Sequence, residues 1–301
     1  MTAPDSLTTA DGCRLHLQRW HASGPGPAHG TVQIVHGLGE HIGRYAAVAR
    51  SLNAAGWHVA GHDQRGHGRS EGPRGTVPPG PGLLADLSVV IDLVRAERGP
   101  GHHVLLGHSM GGLVAARFVA EGARETPAAW ARTVDGLVLS SPAFDIGMNP
   151  LQRALLTVLG PLVPDLRLGN GLKPAWISRD PAIVKAYRAD PLVHDRVTPR
   201  LVRFMLDSGA CAQARAPHWR VPTLLMWAGV DRCVAPRGSV RFAEAAPESV
   251  LTARVFDALA HEIFNEPERE QVLQHLTCWL THLAHTAHLA HTAPQPHPQE
   301  T

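Results

Sequence analysis

A serine stands between two glycines at residues 107–111, in the sequence Gly-His-Ser-Met-Gly. An apolar run precedes it and a helical pattern of small residues follows it, so this stretch is predicted to pass from strand through a sharp turn into helix. Such a turn exposes the Ser109 hydroxyl, and its glycines are needed where no Cβ fits between strand and helix. The helix N-terminus adds free backbone N–H groups and a positive dipole. These features predict nucleophilic catalysis by Ser109.

A serine hydroxyl is a poor nucleophile unless a base lies beside it and an acid orients that base. This turn resembles the nucleophile turn of α/β-hydrolases, and that resemblance implies an acid beyond a late strand and a histidine in the loop after the last strand. Asp231 and His261 have this order and setting, and His261 is the one of 20 histidines that does. Asp145, which follows an earlier predicted strand, is the rival acid, and Asp257 is less favoured because it precedes the loop.

Attack on an ester places negative charge on the carbonyl oxygen, which two preorganised N–H donors should meet. One donor is expected from Met110, the residue after the nucleophile. The second is expected from Leu38, in the glycine-containing loop that follows an early strand. The alternative interpretation of that loop is a plain turn after a strand.

The positioning elements alternate along the chain. Strands are predicted at residues 13–20, 31–35, 57–60, 104–106, 137–139, 221–227 and 254–256, with helices at 44–55, 83–98, 113–121 and 268–284. This alternation predicts an α/β fold with a mostly parallel sheet and helices on both faces.

Between residues 142 and 216 the pattern is helical and contains no convincing strand. A structureless loop of that length is implausible inside a compact domain, so this segment is predicted to be an inserted helical cap. The α/β core is then formed by residues 1–141 and 217–284, and residues 285–301 form a flexible, histidine-rich tail.

Composition narrows the function classes. The 301 residues suit one large domain, and a net charge of +2 favours neither nucleic acid nor an acidic membrane. The four cysteines are scattered without a C-x-x-C pair, which argues against a zinc site and fits a reducing cytoplasm. No signal peptide or membrane span is recognised. The expectation is a cytoplasmic enzyme without metal or cofactor.

Histidines recur every three residues at the end of the chain, at His282, His285, His288 and His291. This spacing could bring metal ligands together on a helix. A solvated helix end is the favoured interpretation, because chain termini are often frayed.

Several motifs are spread along the chain, and one of them contains the serine turn. They are His36-Gly-Leu-Gly-Glu-His41, Asp63-Gln-Arg-Gly-His-Gly-Arg-Ser-Glu-Gly72, Gly107-His-Ser-Met-Gly-Gly112, Ala189-Asp-Pro-Leu192, Gly229-Val-Asp231 and His261-Glu-Ile-Phe-Asn-Glu266. With them the chain resembles the monoacylglycerol lipases of the α/β-hydrolase superfamily, in the branch that includes lysophospholipase-like and serine aminopeptidase-like hydrolases. The resemblance covers about residues 10 to 280. It implies the α/β-hydrolase fold with an eight-stranded sheet, a helical cap over the site, and hydrolysis of esters of one fatty acyl chain.

The resemblance also implies a small polar pocket that receives glycerol near the catalytic histidine. Its residues correspond here to Glu40, Arg44 and Tyr187, while Phe264 stands where the family has a further histidine. This departure puts strict glycerol recognition in question.

The cap segment carries an apolar stripe that includes Leu155 and Leu159, at helical spacing with Leu151 and Leu162. The stripe is consistent with an acyl tunnel or with packing against the core.

The leading hypothesis is a serine carboxylester hydrolase that acts on monoacylglycerols. A lysophospholipase, general esterase or thioesterase would use the same machinery, and a non-catalytic binding protein of this fold is a third hypothesis, which the intact candidate residues oppose. The expected partner is a small-molecule lipid ester, with no nucleic acid and at most peripheral membrane contact through the cap.

Overall fold

The computed structural model describes residues 5–24 and 26–292, with side chains described as far as residue 286. Its strands are β1 (Ser6–Thr8), β2 (Arg14–Trp20), β3 (Gly30–Val35), β4 (His58–His62), β5 (His102–His108), β6 (Gly136–Ser140), β7 (Leu168–Gly169), β8 (Arg196–Val197), β9 (Thr223–Ala228) and β10 (Leu251–Phe256). Its α-helices are α1 (Ala46–Ala54), α2 (Leu83–Arg98), α3 (Met110–Gly122), α4 (Pro150–Leu159), α5 (Pro181–Ala189), α6 (Pro199–Arg215), α7 (Arg237–Ala245) and α8 (Arg269–Thr292). None of the described helices is long and apolar enough to cross a bilayer.

Eight strands form one sheet in the order β1-β2-β4-β3-β5-β6-β9-β10. The strand β2 pairs antiparallel with β1 and β4, and the remaining pairs are parallel. The mostly parallel, eight-stranded sheet is therefore confirmed. The three-residue edge strand β1 was not recognised in the sequence, because so short a segment shows no clear periodicity.

Helices cover both faces of this sheet. In β5, Leu105 belongs to the core shared with α2, α3, α6 and α7, whereas its neighbours Val104 and Leu106 belong to the core shared with α1 and α8. All three side chains are fully buried. Successive residues of a strand face opposite sides of a sheet, so a continuous apolar run is what a strand covered on both faces requires.

The segment predicted as a cap, residues 142–216, contributes no strand to the main sheet in the described structure. It contains α4, α5 and α6 together with a small antiparallel pair of two-residue strands, β7 and β8, which the sequence pattern did not indicate. Not all of this segment lies apart from the core. Leu201 and Met205 of α6 are buried in the same apolar cluster as α3.

The last helix is longer than expected, because α8 continues to Thr292 rather than ending near residue 284. No proline or glycine interrupts residues 285–292, so nothing local stops the helix there. His282 and His285 are exposed. The side chains of His288 and His291, and the remainder of the predicted tail from residue 293, lie outside the described part of the chain.

Candidate active site

Ser109 occupies a strained turn between β5 and α3. Its backbone angles are φ 54° and ψ −120°, and Ser141 is the other non-glycine residue with a positive φ among the described residues. Such a conformation is costly for a residue with a Cβ and persists where the surrounding structure enforces it. A Cβ on Gly107 would lie 2.5 Å from the carbonyl oxygen of Gly111, and one on Gly111 would lie 2.0 Å from that of Val35. Glycine is therefore required on both sides of the serine.

His261 and Asp231 meet in the loops that follow the last two strands of the sheet. The His261 Nδ1 lies 2.7 Å from the Asp231 Oδ2, and both side chains are buried. The other carboxylate oxygen, Oδ1, accepts the backbone N–H groups of Cys233 (2.8 Å) and Val234 (3.0 Å). The carboxylate is thus held by its own loop, and it fixes the direction of the imidazole ring.

Two buried imidazole rings, whose pKa values shift in opposite directions, lie side by side in this site. Burial lowers the pKa of His108 to about 4, so that ring is neutral near pH 7. Burial would also lower the pKa of His261, but the Asp231 carboxylate outweighs this effect and raises the pKa above its ordinary value. The two ring centroids are 4.8 Å apart. His261 is therefore the better proton acceptor of the pair.

Ser109 and His261 line the same cavity, which has a volume of about 400 Å³. Leu38 lines this cavity as well, and the Met110 N–H lies in the first turn of α3, where backbone donors have no partner within the helix. The loop that carries Leu38 is fixed by Glu40, whose Oε1 accepts the Gly37 N–H at 2.5 Å. The residues expected to supply the nucleophile, the base and the oxyanion donors thus lie at one edge of the sheet.

The predicted polar pocket is a network around one guanidinium group. Arg44 Nη1 donates to Glu40 Oε2 at 2.6 Å, and the guanidinium carbon lies 4.9 Å from the centre of the Tyr187 ring. Burial would lower the pKa of Arg44, but the carboxylates of Glu262 and Glu40 raise it above its ordinary value. Burial also raises the pKa of Tyr187, and the pKa of Glu40 is lowered to about 2, because Arg44 overcomes the opposite effect of burial. Glu40 and Tyr187 line the cavity, whereas Arg44 lies behind it.

The motif that begins with His261 contains two acidic residues for which the sequence alone predicted no function. Glu262 holds Arg44 through two hydrogen bonds of 2.6 and 2.7 Å and lines the cavity. Glu266, fully buried, accepts the Ala260 N–H at 2.9 Å and so anchors the loop that carries His261. Both lie within five positions of His261 in a motif that was recognised, and this proximity was the available signal.

Phe264 does not line the main cavity. It is buried in the core between α1 and α8 and borders a separate space of about 10 Å³ beside Arg44. That space is also lined by Glu40 and Glu262, so Phe264 lies beside the predicted polar pocket but outside the cavity that contains Ser109. Its effect on the leaving-group side stays a prediction.

Leu155 and Leu159 also lie away from the cavity lining. They are 55% and 43% exposed on α4, a helix in which no residue is buried. This exposure contradicts packing of the stripe against the core, and neither leucine lines the cavity that contains Ser109.

One group of side chains in the described structure could hold a metal ion. Asp231, Cys233 and His261 bring potential ligand atoms within 4.8 Å of one another. Asp231 and His261 are already hydrogen-bonded to each other, and burial raises the pKa of the Cys233 thiol, which disfavours the thiolate that binds metals. The arrangement favours proton transfer over metal binding.

Comparison with known proteins shows which sequences and folds this chain is similar to. The family described as "Serine aminopeptidase, S33" matches residues 26–268. A monoacylglycerol lipase of Mycolicibacterium smegmatis is 34% identical over 254 residues, which cover 83% of this chain and 88% of that protein.

Solved structures give the same result. The crystal structure of the Paleococcus ferrophilus monoacylglycerol lipase is 35% identical, with a TM-score of 0.77 over 89% of this chain and 99% of that one. A soluble variant of the Saccharomyces cerevisiae monoglyceride lipase, in complex with a substrate analogue, is 21% identical with a TM-score of 0.81 and covers 94% of this chain and 96% of that one. At that identity the second structure supports the fold alone.

Proposed function

Since this chain belongs to the serine aminopeptidase S33 family and is a serine hydrolase of the α/β-hydrolase superfamily, we propose that it cleaves esters of a single fatty acyl chain, with monoacylglycerols as the preferred substrates. The similarity of the chain to monoacylglycerol lipases supports the hydrolysis of lipid esters. The observation that carries the proposal is the 2.7 Å contact between His261 and Asp231 in the loops beside Ser109, whose backbone is held in a strained turn.

In the proposed mechanism Ser109 Oγ attacks the ester carbonyl carbon while the second ring nitrogen of His261, Nε2, takes the hydroxyl proton. The Asp231 carboxylate keeps the ring oriented and stabilises the imidazolium that forms. The N–H groups of Leu38 and Met110 stabilise the negative charge on the carbonyl oxygen. When the intermediate collapses, the bond to the leaving alcohol breaks and His261 returns the proton to that alcohol, which leaves an acyl-enzyme.

Water then completes the reaction. His261 accepts a proton from a water molecule, the water oxygen attacks the acyl carbon, and the second intermediate releases the fatty acid as Ser109 recovers its proton. Glu40 and Tyr187 are proposed to contact the leaving alcohol, because both line the cavity that contains Ser109, and Arg44 is proposed to hold them in place from behind. Lysophospholipids, simple esters and thioesters are alternative substrates of the same machinery.

We further propose that the cap, residues 142–216, brings the enzyme to lipid surfaces. On and beyond α4, Leu151, Val158 and Leu162 are 77%, 67% and 75% exposed. An apolar helical face that is not packed against protein is suited to peripheral contact with a membrane. A cytoplasmic location is proposed because all four cysteines are unpaired.

The proposed function is tested by measuring hydrolysis of lauroylglycerol and of p-nitrophenyl esters with the Ser109→Ala and His261→Ala variants. Members of a triad act as a unit, so each variant should lose about 10⁴-fold or more in kcat. Circular dichroism establishes that each variant is folded. Turnover at the unaltered rate in a folded Ser109→Ala variant would refute the assignment.

A further inference from the structure

The cavity wall next to His261 carries two carboxylates. Glu262 directly follows His261, is 5% exposed, and lines the cavity together with Glu40. These are the acidic residues that contact Arg44. The wall is therefore formed by hydrogen-bond acceptors, close in sequence and in space to the residues proposed to perform the reaction.

The positive charge opposite these two carboxylates is that of Arg44, which is already hydrogen-bonded to both of them. Arg44 Nη1 donates to both Glu40 and Glu262, and Arg44 Nη2 donates to Glu262 at 2.7 Å. Arg44 does not line the cavity, and its guanidinium is stacked over Tyr187. Two carboxylates against one guanidinium leave the group with one net negative charge.

The other charged residues of the cavity lining do not reverse this sign. Apart from the histidines, they are two cationic and two acidic residues of the cap segment, Lys173, Arg188, Asp190 and Asp195. Their formal charges sum to zero, so the excess negative charge beside His261 remains. An ionised phosphate at this wall would face two carboxylates whose guanidinium partner is already bonded to both of them. A hydroxyl group, in contrast, can donate a hydrogen bond to a carboxylate.

We propose that Glu262 determines leaving-group specificity, by selecting acyl esters of uncharged, hydroxyl-bearing alcohols and rejecting esters of phosphate-bearing alcohols. This inference rests on the proposed ester hydrolase function and adds to it the residue that sets the headgroup preference. It separates monoacylglycerols from anionic lysophospholipids, which share the same acyl bond.

The test compares two substrates with the same acyl chain and the same ester bond, lauroylglycerol and lauroyl lysophosphatidate, of which only the second carries a phosphate group. Both are used below their critical micelle concentrations. The ratio of their kcat/KM values is measured for the unaltered chain, for Glu262→Gln and for Glu270→Gln. Because both substrates use the same active site, this ratio does not depend on how much of a variant is folded. Glu270 is a matched control, since its side chain is 82% exposed and it does not line the cavity.

The unaltered chain should strongly prefer lauroylglycerol. Glu262→Gln removes one negative charge at nearly constant shape and should reduce that preference about tenfold or more, while Glu270→Gln should leave it unchanged. Equal kcat/KM values for both lipids in the unaltered chain, or a ratio that Glu262→Gln does not change, would overturn the role of Glu262 while leaving the ester hydrolase function intact. Failure of the unaltered chain to hydrolyse lauroylglycerol, lauroyl lysophosphatidate and p-nitrophenyl esters would overturn the proposed function and this inference together.

Discussion

The His261 side chain lies between a carboxylate and the cavity that contains Ser109. A general base accepts a proton only in its neutral form, so the proposed reaction should slow as the pH falls through the pKa of His261. Asp231 raises that pKa above its ordinary value. The acidic limb of the pH profile should therefore lie above the range of an unperturbed histidine.

Asp231→Asn should move the acidic limb of kcat/KM to lower pH, because the carboxylate that raises the pKa of His261 is gone. It should also reduce kcat by about 10³–10⁴-fold, since the ring loses its orienting partner. Both effects are read from kcat/KM for a p-nitrophenyl ester measured across the pH range.

Asp145→Asn is the matched control for the Asp231 substitution. Asp145 is bonded to Arg237 and Arg241, and Arg237 is the main cause of its low pKa of about 2. Its carboxylate already has partners, so kcat and the pH profile should change little. A crippled Asp145→Asn together with a mild Asp231→Asn would identify Asp145 as the orienting acid.

At the scale of elements, α4 is a helix stabilised by its end rather than by burial. Asn149 and Gln152 form a reciprocal capping box, with Pro150 in the first turn. Such a cap contributes about 1 kcal/mol and starts the helix without help from a core. The apolar face that results is left without a partner in the described structure, which is why we assign it to lipid surfaces.

The double substitution Leu151→Ser and Leu162→Ser should weaken association with phosphatidylcholine vesicles about tenfold or more, because inserting each leucine into lipid is worth on the order of 1.5–3 kcal/mol when burial is complete. Vesicle flotation measures the bound fraction. Hydrolysis of a water-soluble ester should not change, since neither residue lines the cavity. Thr157→Ser, on the opposite face of α4, is the control, and equal vesicle binding by all three proteins would contradict membrane docking through this helix.

At the scale of the whole molecule, α8 completes the cover on one face of the sheet. Leu276 and Leu280 are fully buried, and Leu283 is 8% exposed. A Cβ added to Gly136 in β6 would lie 2.8 Å from Leu283 Cδ2, so the helix and the strand are in close contact. The helix α8 is therefore part of the core as far as Ala284.

Leu283→Ala should lower the free energy of unfolding by about 2–5 kcal/mol, because it leaves a cavity where the helix meets the sheet. Deleting residues 287–301 should change the melting temperature little, because a polar chain end contributes little apolar burial. Thermal and urea unfolding of both variants measure these effects. A deletion more damaging than Leu283→Ala would mean that the terminal residues pack against the domain.

Local patterns in the sequence were enough to predict the architecture and the order of the candidate catalytic residues. The apolar run, glycine-flanked serine and small-residue helix at residues 104–120 predict a strand, a turn and a helix because each pattern reflects its own local geometry. Asp231 and His261 could be chosen because they follow late strands in the order typical of α/β-hydrolases, and parallel strands end at one edge of a sheet, where the loops that follow them meet. The structure has these elements and this edge.

The tertiary structure decided what each side chain faces. Periodicity shows that α4 has an apolar face, but not whether protein covers it, so a tunnel and core packing both stayed open for Leu155 and Leu159, which are largely exposed and do not line the cavity. The family resemblance implies that Phe264 belongs to the polar pocket, and the structure adds that its buried ring borders a small space beside Glu40 and Arg44 rather than the main cavity. Glu262 and Arg44 are far apart in the chain, and only folding places the carboxylate against the guanidinium. The charge balance at the candidate site depends on such long-range contacts, which local sequence patterns do not contain.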